Sequence, residues 1–499
     1  MNLTLNFVSL LGIFGLCFIA WLTSENRQKI PWSVIRWGLS LQLLIGLLVF
    51  IVPFTRQGIL VLNDGMTIIM DASEKGASFL FGRVLANTSL WPAKPTAPKI
   101  GYVFAFRALP QVIFFSAIIS LMYRMNVIQP IVKVFARFFQ RTMGISGAES
   151  LAGSANIFVG IESVIAIKPF LKNLTRSEIC SILANCFGSI ASTVLAIYAS
   201  FLKPTFPNIV GHMMSASILT IPACFVISKI VIPETGKPLT MGSLPEEEES
   251  SDEKKGSYMD ALIKGAIDGV QIAVGIAAVI IAILGVVALS DEIFKRSAAS
   301  TGGIIKLVAF IAMSLLLALK KDKPRYYTLS VLCGFIAVWV ASGYLFPASE
   351  TGGGESVFSF LTVDNILGAL FFPLTCLTGV SLDIGEIWMT SKLIGMRLLK
   401  TSVPPYVMLG QIMKLPAEDR VLTERAMLII SYVLCGFAHI PSMGIFIGGF
   451  SNLVPEKAHD ISSVAWKALW AATLGTLMTG CIAGLYDLGN YANVLGVTK

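Results

Sequence analysis

Charged residues are scarce in this chain: lysine, arginine, aspartate and glutamate make up 14% of its 499 residues, whereas hydrophobic residues make up 55%. Soluble domains carry about 25% charged residues, so the composition excludes an ordinary soluble protein and indicates an integral membrane protein. Runs such as 5–23, 35–51 and 270–289 approach the roughly 20 residues that a helix needs to cross a bilayer. No small-residue cleavage site follows the first run, so we interpret it as a retained helix.

Metal-binding and redox motifs are also missing. Three histidines without an HExxH motif argue against a zinc enzyme. The eight cysteines lie in apolar stretches without CxxC or metal-ligand spacing, so we expect reduced, packed thiols. Glu149 and Glu162 have no nucleophile–base arrangement beside them, which predicts a protein that is not an enzyme and has no resident cofactor. The net charge of +8 falls mostly in short loops, as the positive-inside bias requires, and does not indicate nucleic-acid binding.

The apolar runs predict an all-α polytopic membrane protein with about ten transmembrane helices. Arg27 and Lys29 follow the first run, which predicts a cytoplasmic loop there and an outside N-terminus. We expect a multi-pass protein of the cytoplasmic (inner) membrane. Two additional helices, about 303–319 and 327–346, flank the basic sequence KKDKPR at 320–325. Counting crossings from an outside N-terminus places that loop in the cytoplasm as well, so the predicted topology is consistent.

Two segments are predicted to lie at the membrane surface. Residues 57–101 are too polar to span and are interpreted as an interfacial helix plus an external loop. In the segment 125–144, Lys133, Arg137 and Arg141 recur at helical spacing among bulky apolar residues. This pattern is typical of a basic amphipathic helix on the cytoplasmic surface.

These features divide the chain into five predicted parts. They are N-terminal scaffold helices with the amphipathic helix (1–144), a first transport part (145–235), an acidic cytoplasmic linker (236–265), a scaffold helix with the two additional helices (266–350), and a second transport part (351–499).

The segment GAESLAGSANIFVGIESVIAIKP, 147–169, is unusually polar for a membrane-embedded stretch. A carboxylate at the bilayer centre costs about 2.5–3.5 kcal/mol. The apolar stretches beside SANIFVG are about ten residues each, or roughly 15 Å of helix, which is half of a ~30 Å hydrocarbon core. We therefore predict a re-entrant hairpin that lines a wet, protein-enclosed cavity and forms the floor of a binding site.

Three further segments are interrupted in the same manner: NCFGSIAST at 185–193, GMRLLKTSVPPY at 395–406 and CGFAHIPSMGIFIGGF at 435–450. Two hairpins and two broken helices in paired order are typical of the inverted repeats of a secondary transporter. The alternative is a set of Gly and Pro kinks in ordinary packed helices. Pro404 and Pro405 stand where the tip of the second hairpin is expected.

At these residues the chain resembles the concentrative nucleoside transporter family. GSANIFVG, KPFL and TRSE match the family's first hairpin and the following helix start, and SENRQKIPW, FAFRALPQVIFFSA, SGAES and VLCGFAH also fit. The match covers 1–290 and 360–490. The resemblance implies a homotrimer with scaffold and transport parts, and import of nucleosides or related solutes by sodium symport with alternating access.

The resemblance also implies a sodium site. Asn156 would supply its side-chain oxygen, Val159 and Ile190 their backbone carbonyls, and Ser189 a hydroxyl and a carbonyl. Sodium would thus be a transported ion rather than a cofactor. Oxygen ligands on unwound backbone suit an alkali cation.

The implied substrate site departs from the family pattern. Glu162, Val194 and Ser442 match substrate-contacting positions, but the family's N-E-F in the second hairpin is replaced by Thr401, Ser402 and Val403, with Lys400 before them. The asparagine of the second broken helix is His439, and the first-hairpin glutamine is Ile161. The residues that recognise the substrate are therefore expected to differ from those of the family.

Three alternatives stay open at this point. A lysine and a histidine in place of a carboxylate and an amide favour a more anionic substrate, and His439 allows coupling to protons instead of sodium. A non-transporting, ligand-sensing membrane protein would bind the same solute without accumulating it. A membrane-embedded enzyme is the least supported, because no catalytic constellation accompanies the glutamates.

Overall fold

Helices account for all regular secondary structure in the part of the chain that the computed structural model describes, namely residues 3–82, 103–157, 161–190, 192–242, 257–298 and 362–489. In chain order they are α1 (Leu3–Leu22), α2 (Trp32–Phe50), α3 (Pro53–Phe81), α4 (Phe104–Arg124), α5 (Ile128–Met143), α6 (Gly147–Ala155), a 3₁₀ helix (Ile161–Asn173), α7 (Arg176–Gly188), α8 (Ser192–Leu202), α9 (Ile209–Val231), α10 (Tyr258–Ala298), α11 (Val363–Leu377), α12 (Ile384–Lys400), α13 (Val403–Met413), a short 3₁₀ helix (Ala417–Asp419), α14 (Glu424–Val433), α15 (Ile440–Leu453), a second short 3₁₀ helix (Pro455–Lys457) and α16 (Ala458–Leu485).

Five helical stretches of the described residues are long and apolar enough to cross a membrane: α1, α2, α9, Tyr258–Glu292 of α10, and Pro455–Leu485, which contains α16. An all-α membrane protein is therefore confirmed, while the number of about ten crossings stays a prediction. Helix α10 begins at Tyr258, before the predicted start at 266, so part of the segment assigned to the acidic linker is helical. The rest of that linker's charged run and the two additional helices at 303–346 lie outside the described residues.

The two predicted surface segments are helical where they are described. Helix α3 covers most of the first of them, and the loop predicted after it lies outside the described residues. Helix α5 is the predicted basic amphipathic helix. Its axis makes an angle of 81° with α4, the break falling between Arg124 and Ile128. If α4 crosses the membrane, this bend turns α5 towards the membrane plane.

Helices α9 and α16 form the centre of the packing. Each is 89% buried over its most apolar window, which agrees with a helix that is hydrophobic around its whole circumference. They pack against each other and against α7, while α1 and α2 cover them on another side. The hydroxyls of Thr220 and Thr479 form a hydrogen bond of 3.1 Å between α9 and α16. The seven cysteines of the described residues are free and buried or partly buried.

Contacts divide the chain into two compact units, residues 1–280 with 371–499, and residues 281–370. The first unit contains every predicted site residue. The predicted division into five parts stays a prediction.

Candidate functional site

The polar segment that begins at Gly147 forms two short pieces rather than one continuous rod. Helix α6 starts with a capping box, in which Ser146 and Glu149 accept each other's backbone N–H groups. It ends after nine residues, and Asn156 and Ile157 form a turn. The 3₁₀ helix Ile161–Asn173 then packs against α6. We call residues 147–173 the first hairpin segment. That it enters the membrane and returns on the same side stays a prediction.

The base of the first hairpin segment is held by a buried ion pair. Lys229 Nζ, in the last turn of α9, lies 2.6 Å from Glu149 Oε1 and 3.4 Å from Glu234 Oε2. It also donates to Ser177 Oγ at 3.1 Å, and Glu234 accepts the hydroxyl of Thr175 at 2.8 Å. Glu149 therefore joins the start of α6 to the end of α9.

At the other end of α6, Asn156 meets the C-terminus of α7. Its side-chain nitrogen donates to the carbonyl oxygen of Asn185 at 2.8 Å and to the hydroxyl of Ser189. The same carbonyl accepts the backbone N–H of Ser189 at 3.0 Å and its hydroxyl at 2.9 Å. Three donors therefore converge on one carbonyl in the last turn of α7, where the helix dipole concentrates negative charge.

The structure thus brings together three of the four residues predicted to bind sodium. Asn156 and Ser189 are almost fully buried and in contact, and Ile190 follows directly in the buried break between α7 and α8. Val159 lies outside the described residues. The amide of Asn156 points its nitrogen, rather than its oxygen, towards Asn185 and Ser189. An asparagine amide carries donor and acceptor side by side, so rotation of the amide exchanges the two.

The second hairpin segment, 384–413, consists of α12 and α13, which pack against each other. Its tip is formed by Thr401 and Ser402, and Pro404 and Pro405 follow in the first turn of α13 rather than at the tip. Proline is favoured at a helix start because its missing N–H is not needed there. Thr401 has φ 67° and ψ 177°, a conformation that costs a β-branched residue of the order of 1–3 kcal/mol.

The tip of the second hairpin segment contacts the second broken helix. Ser402 Oγ donates to the carbonyl oxygen of Gly436 at 3.0 Å, in the break between α14 and α15. His439 is the N-cap of α15, and its Nδ1 accepts the backbone N–H of Ser442 at 3.1 Å. The hydroxyl of Ser442 donates back to the carbonyl of His439 at 2.8 Å. Four of the predicted substrate residues, Thr401, Ser402, His439 and Ser442, therefore lie in one buried region.

The two breaks touch each other. A methyl group added at Gly436 would overlap the carbonyl oxygen of Gly188, so this close approach requires a glycine at position 436. Around this contact, the rings of Phe187 and Phe446 meet edge to face with centroids 5.5 Å apart. Asn156 of the first hairpin segment and Ser402 of the second therefore each contact one of these two adjoining breaks.

The remaining predicted substrate residues are placed less closely. Val194 is buried in the first turn of α8. Lys400 is partly buried at the end of α12, directly before the tip. Glu162 lies in the second arm of the first hairpin segment, and its side chain is outside the described part of the structure.

Two features of this region were missed by the sequence analysis. The rings of Tyr198 on α8 and Tyr406 on α13 stack with centroids 4.9 Å apart and connect these two helices. Arg397 on α12 is 1% exposed and donates to the carbonyl of Val433 and, at 3.0 Å, to Thr476 Oγ1. A single arginine within an apolar stretch of a membrane protein is a signal that could have identified it.

Comparison with protein families identifies three matches along the chain. Residues 11–84 match the N-terminal part of the Na⁺ dependent nucleoside transporter family, residues 212–484 match its C-terminal part, and residues 105–205 match a domain described as nucleoside recognition. An uncharacterized transporter of Haemophilus influenzae is 30% identical over 479 residues, which cover 96% of this chain and 97% of the relative.

Other relatives and solved structures agree. The nucleoside permease NupC of Helicobacter pylori is 27% identical over 96% of this chain and 97% of its own length. Human solute carrier family 28 member 3 is 28% identical over 96% of this chain, which spans 59% of that longer protein. The fold superimposes on CNTnw in an inward-facing substrate-bound state with a TM-score of 0.76 and 27% identity, covering 97% of this chain and 98% of CNTnw.

An outward-facing CNTnw variant matches equally well, with a TM-score of 0.76 and 27% identity over 97% of this chain and 99% of the variant. The same fold is therefore known in both of the states that alternating access requires. The chain belongs to the Na⁺-dependent nucleoside transporter family, whose members are cation-coupled symporters and not enzymes.

Proposed function

We propose that this protein imports nucleosides together with sodium, and that sodium binds where the first hairpin segment meets the end of α7. The observation that carries the proposal is the convergence of three donors on the carbonyl of Asn185. A carbonyl that attracts three donors at a helix C-terminus is also a favourable position for a cation. The hydroxyl oxygen of Ser189 is the second proposed ligand, because the amide of Asn156 contacts both this hydroxyl and the Asn185 carbonyl.

Sodium binding would follow from a change in the Asn156 amide. Its N–H group now lies between the oxygens of Asn185 and Ser189. Rotation of the amide would turn its oxygen towards these two groups. Sodium would then take the place of the N–H group and contact three oxygens, those of the Asn156 amide, the Asn185 carbonyl and the Ser189 hydroxyl. The carbonyls of Ile190 and Val159 are proposed to complete the shell. Because Asn156 terminates α6, an occupied site would stabilise the tip of the first hairpin segment and thereby favour substrate binding.

The proposed nucleoside site lies beside the contact between the two helix breaks. Hydroxyls of Thr401, Ser402 and Ser442 would serve the sugar, and Val194 would contribute apolar contact. Glu162 and Lys400 are proposed as charged contacts from the two hairpin segments. The absence of the family's carboxylate at position 402 predicts weaker dependence on the ribose hydroxyls, because an unpaired hydroxyl of the substrate loses a charge-assisted hydrogen bond.

His439 is proposed as a capping residue rather than a proton carrier. Its Nδ1 accepts a backbone N–H group at the start of α15, and a protonated imidazole has no acceptor nitrogen. Proton binding would therefore break the cap instead of passing through it. This arrangement favours sodium over protons as the coupled cation.

The family membership also supports three properties at the level of the whole protein. We propose a homotrimer in the inner membrane, with the N-terminus outside. Arg27 and Lys29 in the α1–α2 loop support the orientation through the positive-inside bias.

A thermal-shift experiment tests the sodium site without relying on transport. Purified wild-type protein should be stabilised by NaCl relative to choline chloride at equal ionic strength, because a ligand that binds only the folded state raises the unfolding temperature. Ser189→Ala should abolish this sodium-specific shift. Asn156→Ala should abolish it too, and should remove sodium-dependent nucleoside uptake in proteoliposomes.

Ser215→Ala is the matched control. Ser215 is buried, like Ser189, and bonds to a carbonyl one turn earlier in its own helix. It should reduce stability slightly and keep the full sodium shift. A sodium shift that survives Ser189→Ala and Asn156→Ala would refute the site. Wild-type uptake that follows a pH gradient but ignores a sodium gradient would refute sodium coupling.

A further inference from the structure

Helix α5 carries three separate stripes along its length. The first is buried and consists of Ile128, Val132, Ala136, Phe139 and Met143. The second is apolar and exposed, with Val127, Ile131, Val134 and Phe138 between 40% and 62% exposed. The third is basic and consists of Lys133, Arg137 and Arg141. At about 100° per residue these stripes occupy three different sides of the helix.

The basic stripe is not neutralised within the described part of the chain. Helix α5 contains no aspartate or glutamate. No carboxylate of the described residues forms an ion pair with Lys133, Arg137 or Arg141. Arg137 and Arg141 are exposed and Lys133 is partly exposed. Three cations at a spacing of four residues therefore form a continuous positive edge about two helical turns long.

An exposed apolar stripe next to an exposed basic stripe fits the surface of a membrane. The helix turns by 81° from α4, as a helix must if it leaves a transmembrane direction and lies along the interface. Its apolar stripe can then enter the acyl region while the basic stripe stays among the headgroups. We propose that the basic stripe of α5 binds the phosphate groups of anionic phospholipids in the leaflet that α5 lies on.

The opposite side of α5 connects this lipid contact to the candidate sodium site. The buried stripe packs against α6, the first arm of the first hairpin segment, and against α2. Phe139 contacts the ring of Phe225 on α9 with centroids 6.0 Å apart. Only Gly144, in a left-handed conformation with φ 69°, and Ile145 separate α5 from the cap residue Ser146. Anionic lipid on α5 therefore stabilises the base of the first hairpin segment.

The experiment measures retained lipid directly. Wild-type protein is prepared in nanodiscs of phosphatidylcholine with phosphatidylglycerol and released from them in the gas phase. Native mass spectrometry then counts the phosphatidylglycerol molecules that stay bound to the protein. The triple variant Lys133→Gln/Arg137→Gln/Arg141→Gln should retain about tenfold less of it, since each cation near a charged leaflet contributes to the attraction. Phosphatidylcholine retention should not change.

The control removes the same charge elsewhere. Lys29, Lys237 and Lys414 are exposed lysines on other segments, and their joint replacement by glutamine should leave phosphatidylglycerol retention at the wild-type level. The conservative variant Lys133→Arg/Arg137→Lys/Arg141→Lys should also retain it.

The proposal would be overturned if the α5 glutamine variant and the lysine control variant lost the same amount of bound phosphatidylglycerol, because the attraction would then depend on total charge only. A changed oligomer mass in the α5 variant, with phosphatidylglycerol unaffected, would overturn it in favour of a subunit contact. Neither readout depends on sodium binding, so failure here leaves the proposed function standing.

Discussion

Removing the charge of Lys229 should destabilise the protein strongly, because this lysine is the only cation in contact with the buried carboxylate of Glu149 among the described residues. The side chains are 5% and 1% exposed and 2.6 Å apart. Breaking a buried ion pair by removing one partner costs about 3–5 kcal/mol, since the other charge is left unpaired. Lys229→Met should therefore lower the unfolding temperature in detergent by several degrees.

A double-mutant cycle separates the ion pair from general packing. Adding Glu149→Gln to Lys229→Met removes the stranded charge while a glutamine still fits the capping box, so the double variant should recover most of the lost stability. Lys172→Met is the control, because the pair Lys172–Glu456 is 65% and 68% exposed and should contribute about 0–1 kcal/mol. A double variant whose loss equals the sum of the single losses would contradict the reasoning.

Three further predictions concern the site and its surroundings. Gly436→Ala should abolish uptake and lower the unfolding temperature, because overpacking costs about 1–3 kcal/mol. Gly444→Ala should be tolerated, because its added methyl group meets open space. Thermal shift and proteoliposome uptake measure both variants. Thr401→Gly should raise the unfolding temperature by relieving the left-handed conformation, and a fall would refute the assigned strain. The hydrogen bond from Arg176 lowers the pKa of Glu25. The stability that Glu25 contributes is therefore present above its ordinary pKa and is lost as the pH falls through the lowered pKa. Glu25→Gln should make the unfolding temperature depend less on pH in this acid range.

The interruptions of the helices could be predicted from the sequence because they have local causes. Gly188 with the following hydroxyls marks the end of α7, and Gly436 with Pro441 marks the break between α14 and α15. Such residues disfavour a continuous helix wherever they stand. The capping boxes that begin α6 and α7 are likewise contained in a few consecutive residues.

Features that depend on distant residues could not be predicted. Arg397 contacts Val433 and Thr476, which are far from it in the chain, and no local pattern reports such a contact. The tip of the second hairpin segment was expected at its prolines, but the turn falls at Thr401, a residue with no intrinsic preference for positive φ. Tertiary packing therefore determines this turn against the local propensity.

The two hairpin segments contact the two helix breaks through different chemical groups. At the first break, the described donors to the buried carbonyl of Asn185 at the end of α7 are neutral groups, including the Asn156 amide and the Ser189 hydroxyl. At the second break, the carbonyl of Val433 at the end of α14 already accepts a hydrogen bond from the guanidinium of Arg397. A helix C-terminus that is paired with a fixed cation gains little from a second one. We therefore expect sodium to act through the first hairpin segment, and the contact between Gly188 and Gly436 joins the first helix break to the second.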